Sequence, residues 1–193
     1  MNSQELRSAI QDDIRNIKNI SPDIIPGRVY YGQLAKLGFG FYWKILLIVS
    51  LALTYSFNYN SDYLRPPLPT ILDSAFSALI IGSIASLIMT FLLINPLNML
   101  VLFRFHLEKK LKTGGLLIKK FKLIGIVYLS VLTFFCLLFG FFAKPEVMIG
   151  MLLFAFVLSG LATSFFIKLE LNRIGLSTVY DVINEFVNKS NHL

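Results

Sequence analysis

Three long stretches of this chain contain no charged residue: 74–103, 123–143 and 147–167, of 30, 21 and 21 residues. A helix rises about 1.5 Å per residue and a bilayer core is about 30 Å thick, so roughly 20 apolar residues suffice to cross. Water-soluble folds rarely contain three such runs, whereas membrane-spanning helices require them. Composition agrees. Hydrophobic residues make up 55% of the 193, charged residues only 15%, and Phe occurs 18 times; the mean hydropathy is +0.69. Soluble domains usually carry about 25% charged residues.

A fourth span is expected at 38–57. Only Lys44 interrupts it, and a lysine near a span end can extend its amine to the headgroups while its stem stays in lipid. Phe41, Tyr42 and Trp43 beside it form an interfacial aromatic cluster. The 30-residue run is too long for one straight span. Pro96 offers a break, because it lacks an N–H and its ring clashes with the preceding turn. The second span is therefore placed at about 74–95, with 97–113 leaving the membrane as a helix. The third and fourth spans, 123–143 and 147–167, are joined so closely that they must form an antiparallel hairpin.

Orientation follows from Lys and Arg in the flanking segments. The N-terminal region, second loop and tail together hold 16, against one each, Arg65 and Lys144, in the first and third loops. This places both termini in the cytoplasm. The expected fold class is an all-α membrane protein: four transmembrane helices in an antiparallel bundle, with amphipathic cytoplasmic helices at both ends. The organisation is a cytoplasmic N-terminal region (1–37), a four-span membrane domain (38–176) and a C-terminal amphipathic helix (177–193). No cleavable leader is read, since the first apolar run begins near Leu37. Compact loops and sharp charge asymmetry suit a bacterial inner membrane.

Outside the spans, Leu6, Ile10, Ile14 and Ile17 recur at helical spacing within 3–20, with Asn2 and Glu5 as a capping box and Ser21-Pro22 as the stop. The apolar face of that helix can lie on the membrane, on the chain's own loops or on a partner. Val179, Val182, Ile183, Phe186 and Val187 form a second such face. The second loop carries Lys109, Lys110, Lys112, Lys119, Lys120 and Lys122, assigned to lipid headgroups or a partner, with Gly114-Gly115 read as a hinge. The first outer loop, 58–73, is stiffened by Pro66, Pro67 and Pro69.

A search for chemistry returns little. No Asp, Glu, His or Arg lies deep within any expected span, although proton pumps and ion relays normally use such groups. Ser86 and Ser159 have no buried base beside them. His106 and His192 are too few for a metal centre, and Cys136 stands alone, so no internal disulfide forms. Asn188-Lys-Ser190 is a formal glycosylation sequon on the expected cytoplasmic side and is discounted. The chain is accordingly expected to be no enzyme and to hold no cofactor or metal.

What the spans do carry is small, weakly polar residues. Gly82 and Ser86 share a face of the second span, and Ala155, Ser159 and Thr163 a face of the fourth. Such stripes let helices approach closely. The expected function is a non-catalytic multi-pass subunit that scaffolds or regulates a larger membrane assembly of secretion, conjugation or respiratory type. A small oligomeric transporter or channel, and a membrane immunity or exclusion protein, are the alternatives. The expected partners are other membrane proteins and anionic lipids, or further copies of the chain, and not nucleic acid.

Overall fold

A computed structural model describes residues 3–19, 25–59, 71–108, 110–174 and 182–183. Six helices are described: α1 (Ser3–Asn19), α2 (Gly27–Tyr59), α3 (Ile71–Leu92), α4 (Ile94–His106), α5 (Gly114–Phe142) and α6 (Pro145–Ile174). There is no strand among the described residues. Four helices, α2, α3, α5 and α6, are long and apolar enough to cross a membrane, their apolar segments running over Gly27–Asn58, Ile71–Leu92, Gly114–Phe142 and Glu146–Leu171. At most 28% of any of these apolar windows is buried within the chain. The large side chains left outside, among them Phe39, Trp43, Phe76, Phe91, Phe134 and Phe165, are those that lipid can solvate. Four such helices are consistent with a multi-pass membrane protein.

The helix ends differ from the sequence reading in informative ways. α2 begins at Gly27 rather than Gly38, and Pro26 starts it by accepting hydrogen bonds from the N–H groups of Val29 and Tyr30 at 2.9 and 3.1 Å. α3 stops at Leu92, not Asn95. Pro96 is still the cause: it cannot donate to the carbonyl four residues earlier, and its ring crowds that carbonyl, which is Leu92's. The interruption therefore falls at Leu93, and Pro96 itself lies in the first turn of α4, where no N–H is needed. α5 and α6 are separated only by Ala143 and Lys144. The Lys144 carbonyl accepts from Val147 and Met148, 3.0 Å each, and Pro145 takes the first helical position. The loop 60–70 with its three prolines, and the C-terminal helix apart from Val182 and Ile183, lie outside the described residues.

The chain divides into two compact units. The first comprises Met1–Lys36, Asn95–Gly125 and Ser164–Leu193. Its core gathers Ile10 and Ile17 of α1, Leu102 and Phe103 of α4, Leu107 and Leu111 of the following turn, Leu117 and Ile118 of α5, Leu171 of α6, and Ile183. Phe103 meets Phe121 edge-on, ring centroids 5.4 Å apart. The α1 face thus packs on the chain itself, with Ile14 partly buried against the same core.

The second unit comprises Leu37–Ile94 and Ile126–Thr163. Its core includes Ile45, Val49, Ala52 and Leu53 of α2, Ala78 and Met89 of α3, Tyr128, Leu132 and Cys136 of α5, and Met148, Leu152 and Ala155 of α6. In lipid, burying apolar area between helices brings little, because the acyl chains are equally apolar. Close van der Waals contact and hydrogen bonds must hold such helices together, which makes the small and hydroxylated residues the informative ones.

Candidate functional site: a buried carboxylate and the small-residue contacts

Asp13 is fully buried in the first unit. On α1 it falls between Ile10 and Ile17, within the apolar face. Its Oδ1 accepts the Lys112 N–H at 2.9 Å. Its Oδ2 accepts the Thr113 N–H at 2.8 Å and the Thr113 hydroxyl at 2.6 Å. Thr113 immediately precedes α5, and its carbonyl accepts from Leu116 and Leu117 as the helix starts. The carboxylate therefore sits at the positive end of the α5 dipole and binds backbone donors there, as an anion at a helix N-terminus does. One side chain joins α1 to α5. Sequence reasoning missed it, although an Asp one turn from both Ile10 and Ile17 was a visible signal.

Beside it, the Lys112 ammonium reaches Asp12 Oδ2 at 2.8 Å on the surface. The hydrogen bond and the charge of Lys112 hold the Asp12 carboxyl below its ordinary value, and Asp12 raises Lys112 in return. A depressed carboxylate stabilises above its ordinary range and stops doing so as pH falls through its folded value. A raised lysine stabilises below its ordinary value and loses that as pH rises through the folded one. The pair thus contributes across the neutral range and fades at both extremes. Being exposed, it is a minor contributor. Asp12→Asn should lower the unfolding temperature far less than loss of Asp13, and molar salt should abolish the difference from wild type; a large, salt-independent loss would contradict this.

The six lysines separate into distinct environments. Lys112 pairs with Asp12, and Lys120 bonds Glu170 of α6 at 2.5 Å in a half-buried ion pair. Lys110, Lys119 and Lys122 are exposed. The Lys109 side chain lies outside the described residues. Gly114 opens α5 against the backbone of Glu108, where a Cβ would overlap the Glu108 carbonyl oxygen. Gly115 has open space around it.

Among the small residues of the spans, Gly82 is buried and faces α2, where a Cβ would come within 2.7 Å of Ser50 Oγ and 3.5 Å of Ser50 Cα. Ser86, Ala155, Ser159 and Thr163 are buried as well. The Ser159 hydroxyl donates to the Ala155 carbonyl one turn back at 2.6 Å. A contact the sequence reading did not single out is Gly140 of α5, where a Cβ would lie 3.0 Å from the Ala52 carbonyl oxygen and 3.3 Å from its Cα. Near it Ser56 donates to the Ala143 carbonyl at 2.9 Å. Tyr42 and Ser83 share a hydrogen bond of 2.8 Å, and Ser74 donates to Asn58 at 3.1 Å. Bonds of this kind between membrane helices are worth about 0.6 kcal/mol each on average.

Gly82→Leu should therefore destabilise the second unit by roughly 1–3 kcal/mol, the usual cost of overpacking, and Ser159→Leu similarly. Thermal unfolding in detergent reads both, and wild-type stability in both variants would show that these faces do not pack.

Among the described residues no three His, Cys, Asp or Glu side chains lie close enough to hold a metal ion. Set beside known proteins, the chain matches no family model, no curated protein and no solved structure.

Proposed function

We propose that this chain is a non-catalytic subunit that scaffolds or regulates a larger membrane assembly, with its four spans in an antiparallel bundle and both termini in the cytoplasm of a bacterial cell. The charge asymmetry of the loops supports that orientation. The observation that carries the partner reading is a set of outward glycines. Gly32, Gly38 and Gly40 on α2, and Gly150 and Gly160 on α6, have nothing within 4 Å of where a side chain would stand. Glycine weakens a helix by about 1 kcal/mol relative to alanine, and no contact among the described residues calls for it at these places. Another membrane helix approaching closely would. The apolar face of α1, by contrast, is already taken up by the chain's own core, so docking falls to the outward faces of the spans.

Purification of the tagged full chain in mild detergent, with mass spectrometry of what co-elutes, tests the reading. A stoichiometric membrane partner is expected, and it should be lost from a Gly32→Leu, Gly40→Leu variant whose own unfolding temperature is unchanged. Recovery of the chain alone would refute it. One observation favours a second reading, an oligomeric transporter: Ser50, Ser86, Tyr128 and Thr163 of the second unit bury hydroxyls that have no hydrogen-bond partner among the described residues. Solute flux through liposomes holding only this chain would decide for that alternative.

A further inference from the structure

We propose that the apolar cleft of the first unit filled by α1 is a docking site for an amphipathic helix, that α1 is its built-in occupant, and that it selects a partner helix carrying a carboxylate between two branched apolar residues. The pattern it reads is the one α1 presents: Ile10 three residues before Asp13 and Ile17 four after, on one helical face. Ile10 and Ile17 join the core of Phe103, Leu107, Leu117 and Leu171. Asp13 accepts from the Lys112 N–H, the Thr113 N–H and the Thr113 hydroxyl at 2.9, 2.8 and 2.6 Å.

Selectivity is the first argument. A buried charge is costly to desolvate, and a well-packed apolar side chain would seal the same core without that cost. What a fully bonded carboxylate adds is register and choice of partner. A helix with no acceptor at this place leaves both N–H groups and the buried Thr113 hydroxyl unpaired, a penalty against every wrong occupant.

Separability is the second. The apolar hold of α1 is small: Ala9, Ile10 and Ile17 are buried, and Ile14 only partly. Its other side is polar, with Glu5, Ser8, Gln11, Arg15 and Asn16 exposed. Its acids, Glu5, Asp12 and Asp13, are balanced by Arg7, Arg15 and Lys18. Such a helix stays soluble when it leaves. Its departure uncovers both the apolar cleft and the donors at the start of α5, which together read a helix laid into a groove. With α1 in place the cleft is closed, so a partner helix enters by replacing it. The inference does not use the outward glycines of the spans, so either reading can fail alone.

A fluorescein-labelled peptide of residues 3–19, titrated into the full chain carrying Asp13→Ala in lipid nanodiscs, tests the site by fluorescence anisotropy. Loss of the Asp13 carboxylate frees the cleft, so saturable binding is expected. It should be at least about tenfold tighter than for the same peptide carrying Asp13→Asn, because a hydrogen bond to a charged group is lost. The wild-type chain should bind the peptide at least about tenfold more weakly than the variant, since its own tethered α1 competes at a high effective concentration. No saturable binding, equal binding of the two peptides, or equal binding to the two chains would overturn the proposal. So would equal binding to empty nanodiscs, which would give the face of α1 a lipid surface, and wild-type dimers that the peptide disperses, which would make α1 of a second copy the occupant. Should the Asp13→Ala chain fail to elute as a folded species, a spin label at the exposed Gln11→Cys in the otherwise native chain serves. Millimolar wild-type peptide should mobilise that label and the Asp13→Asn peptide should not; a label unmoved by either would overturn the proposal.

Discussion

Asp13→Ala should lower the unfolding temperature by roughly 6–10 °C and release α1. The substitution leaves the Lys112 and Thr113 N–H groups and the Thr113 hydroxyl without their acceptor, at a place where Thr113 is fully buried. Buried donors stripped of a partner cost about 1–3 kcal/mol each, and part of this is recovered as water enters. A net loss of about 3 kcal/mol corresponds to that shift for a chain of this size. Asp13→Asn should be milder. The amide keeps one acceptor oxygen for Thr113 but turns a donor toward the Lys112 N–H, a local repulsion in place of a bond. Limited trypsinolysis gives an independent readout, because Arg15 is exposed on the same helix. Cleavage after Arg15 should accelerate in the order wild type, Asn, Ala. If neither temperature nor cleavage moves, Asp13 is not what fastens α1.

The second large effect separates two adjacent glycines. Gly114→Ala drives a methyl group into the Glu108 backbone, whose carbonyl carbon and Cα would lie 3.0 and 3.2 Å away. A backbone obstacle cannot rotate aside as a side chain can, so the turn between α4 and α5 must shift, and with it the donors that Asp13 holds. The expected loss is about 2–3 kcal/mol. Gly115→Ala meets nothing within 4 Å, and in a helix it should be neutral or stabilise by up to about 1 kcal/mol. Equal effects at the two positions would mean that Gly114 acts through backbone freedom rather than through space. Combined with Asp13→Ala, Gly114→Ala should be less than additive, because both loosen the same turn.

The outward glycines and the inward ones bear on function from opposite sides. Gly82 and Gly140 are consumed by contacts with α2 inside the second unit. Gly32, Gly40, Gly150 and Gly160 meet nothing within 4 Å among the described residues. Substituting the first group should cost stability, whereas substituting the second should cost association. That division lets stability and partner binding be measured on separate variants.

Residue type and run length alone were enough to announce four helices long and apolar enough to cross a membrane. Lipid imposes a length of about 20 apolar residues and forbids unpaired backbone, so the solution is local and legible without tertiary knowledge. The short link at Ala143-Lys144 and the influence of Pro96 were legible for the same reason, although the break falls at Leu93 because proline acts on the carbonyl four residues before it. Helical spacing likewise revealed the face of α1 carrying Ile10 and Ile17. What covers that face was not legible, since a periodic pattern states that a helix must be covered and not by what. Only the tertiary structure decided that α1 packs on its own chain, that Asp13 spends its charge on the start of α5, that Lys112 and Lys120 are held by carboxylates while Lys119 and Lys122 are not, and that Gly140 rather than a neighbouring glycine meets Ala52. Each of these depends on which distant residue arrives at a given height on a given face, a matter of register between helices that no single segment encodes.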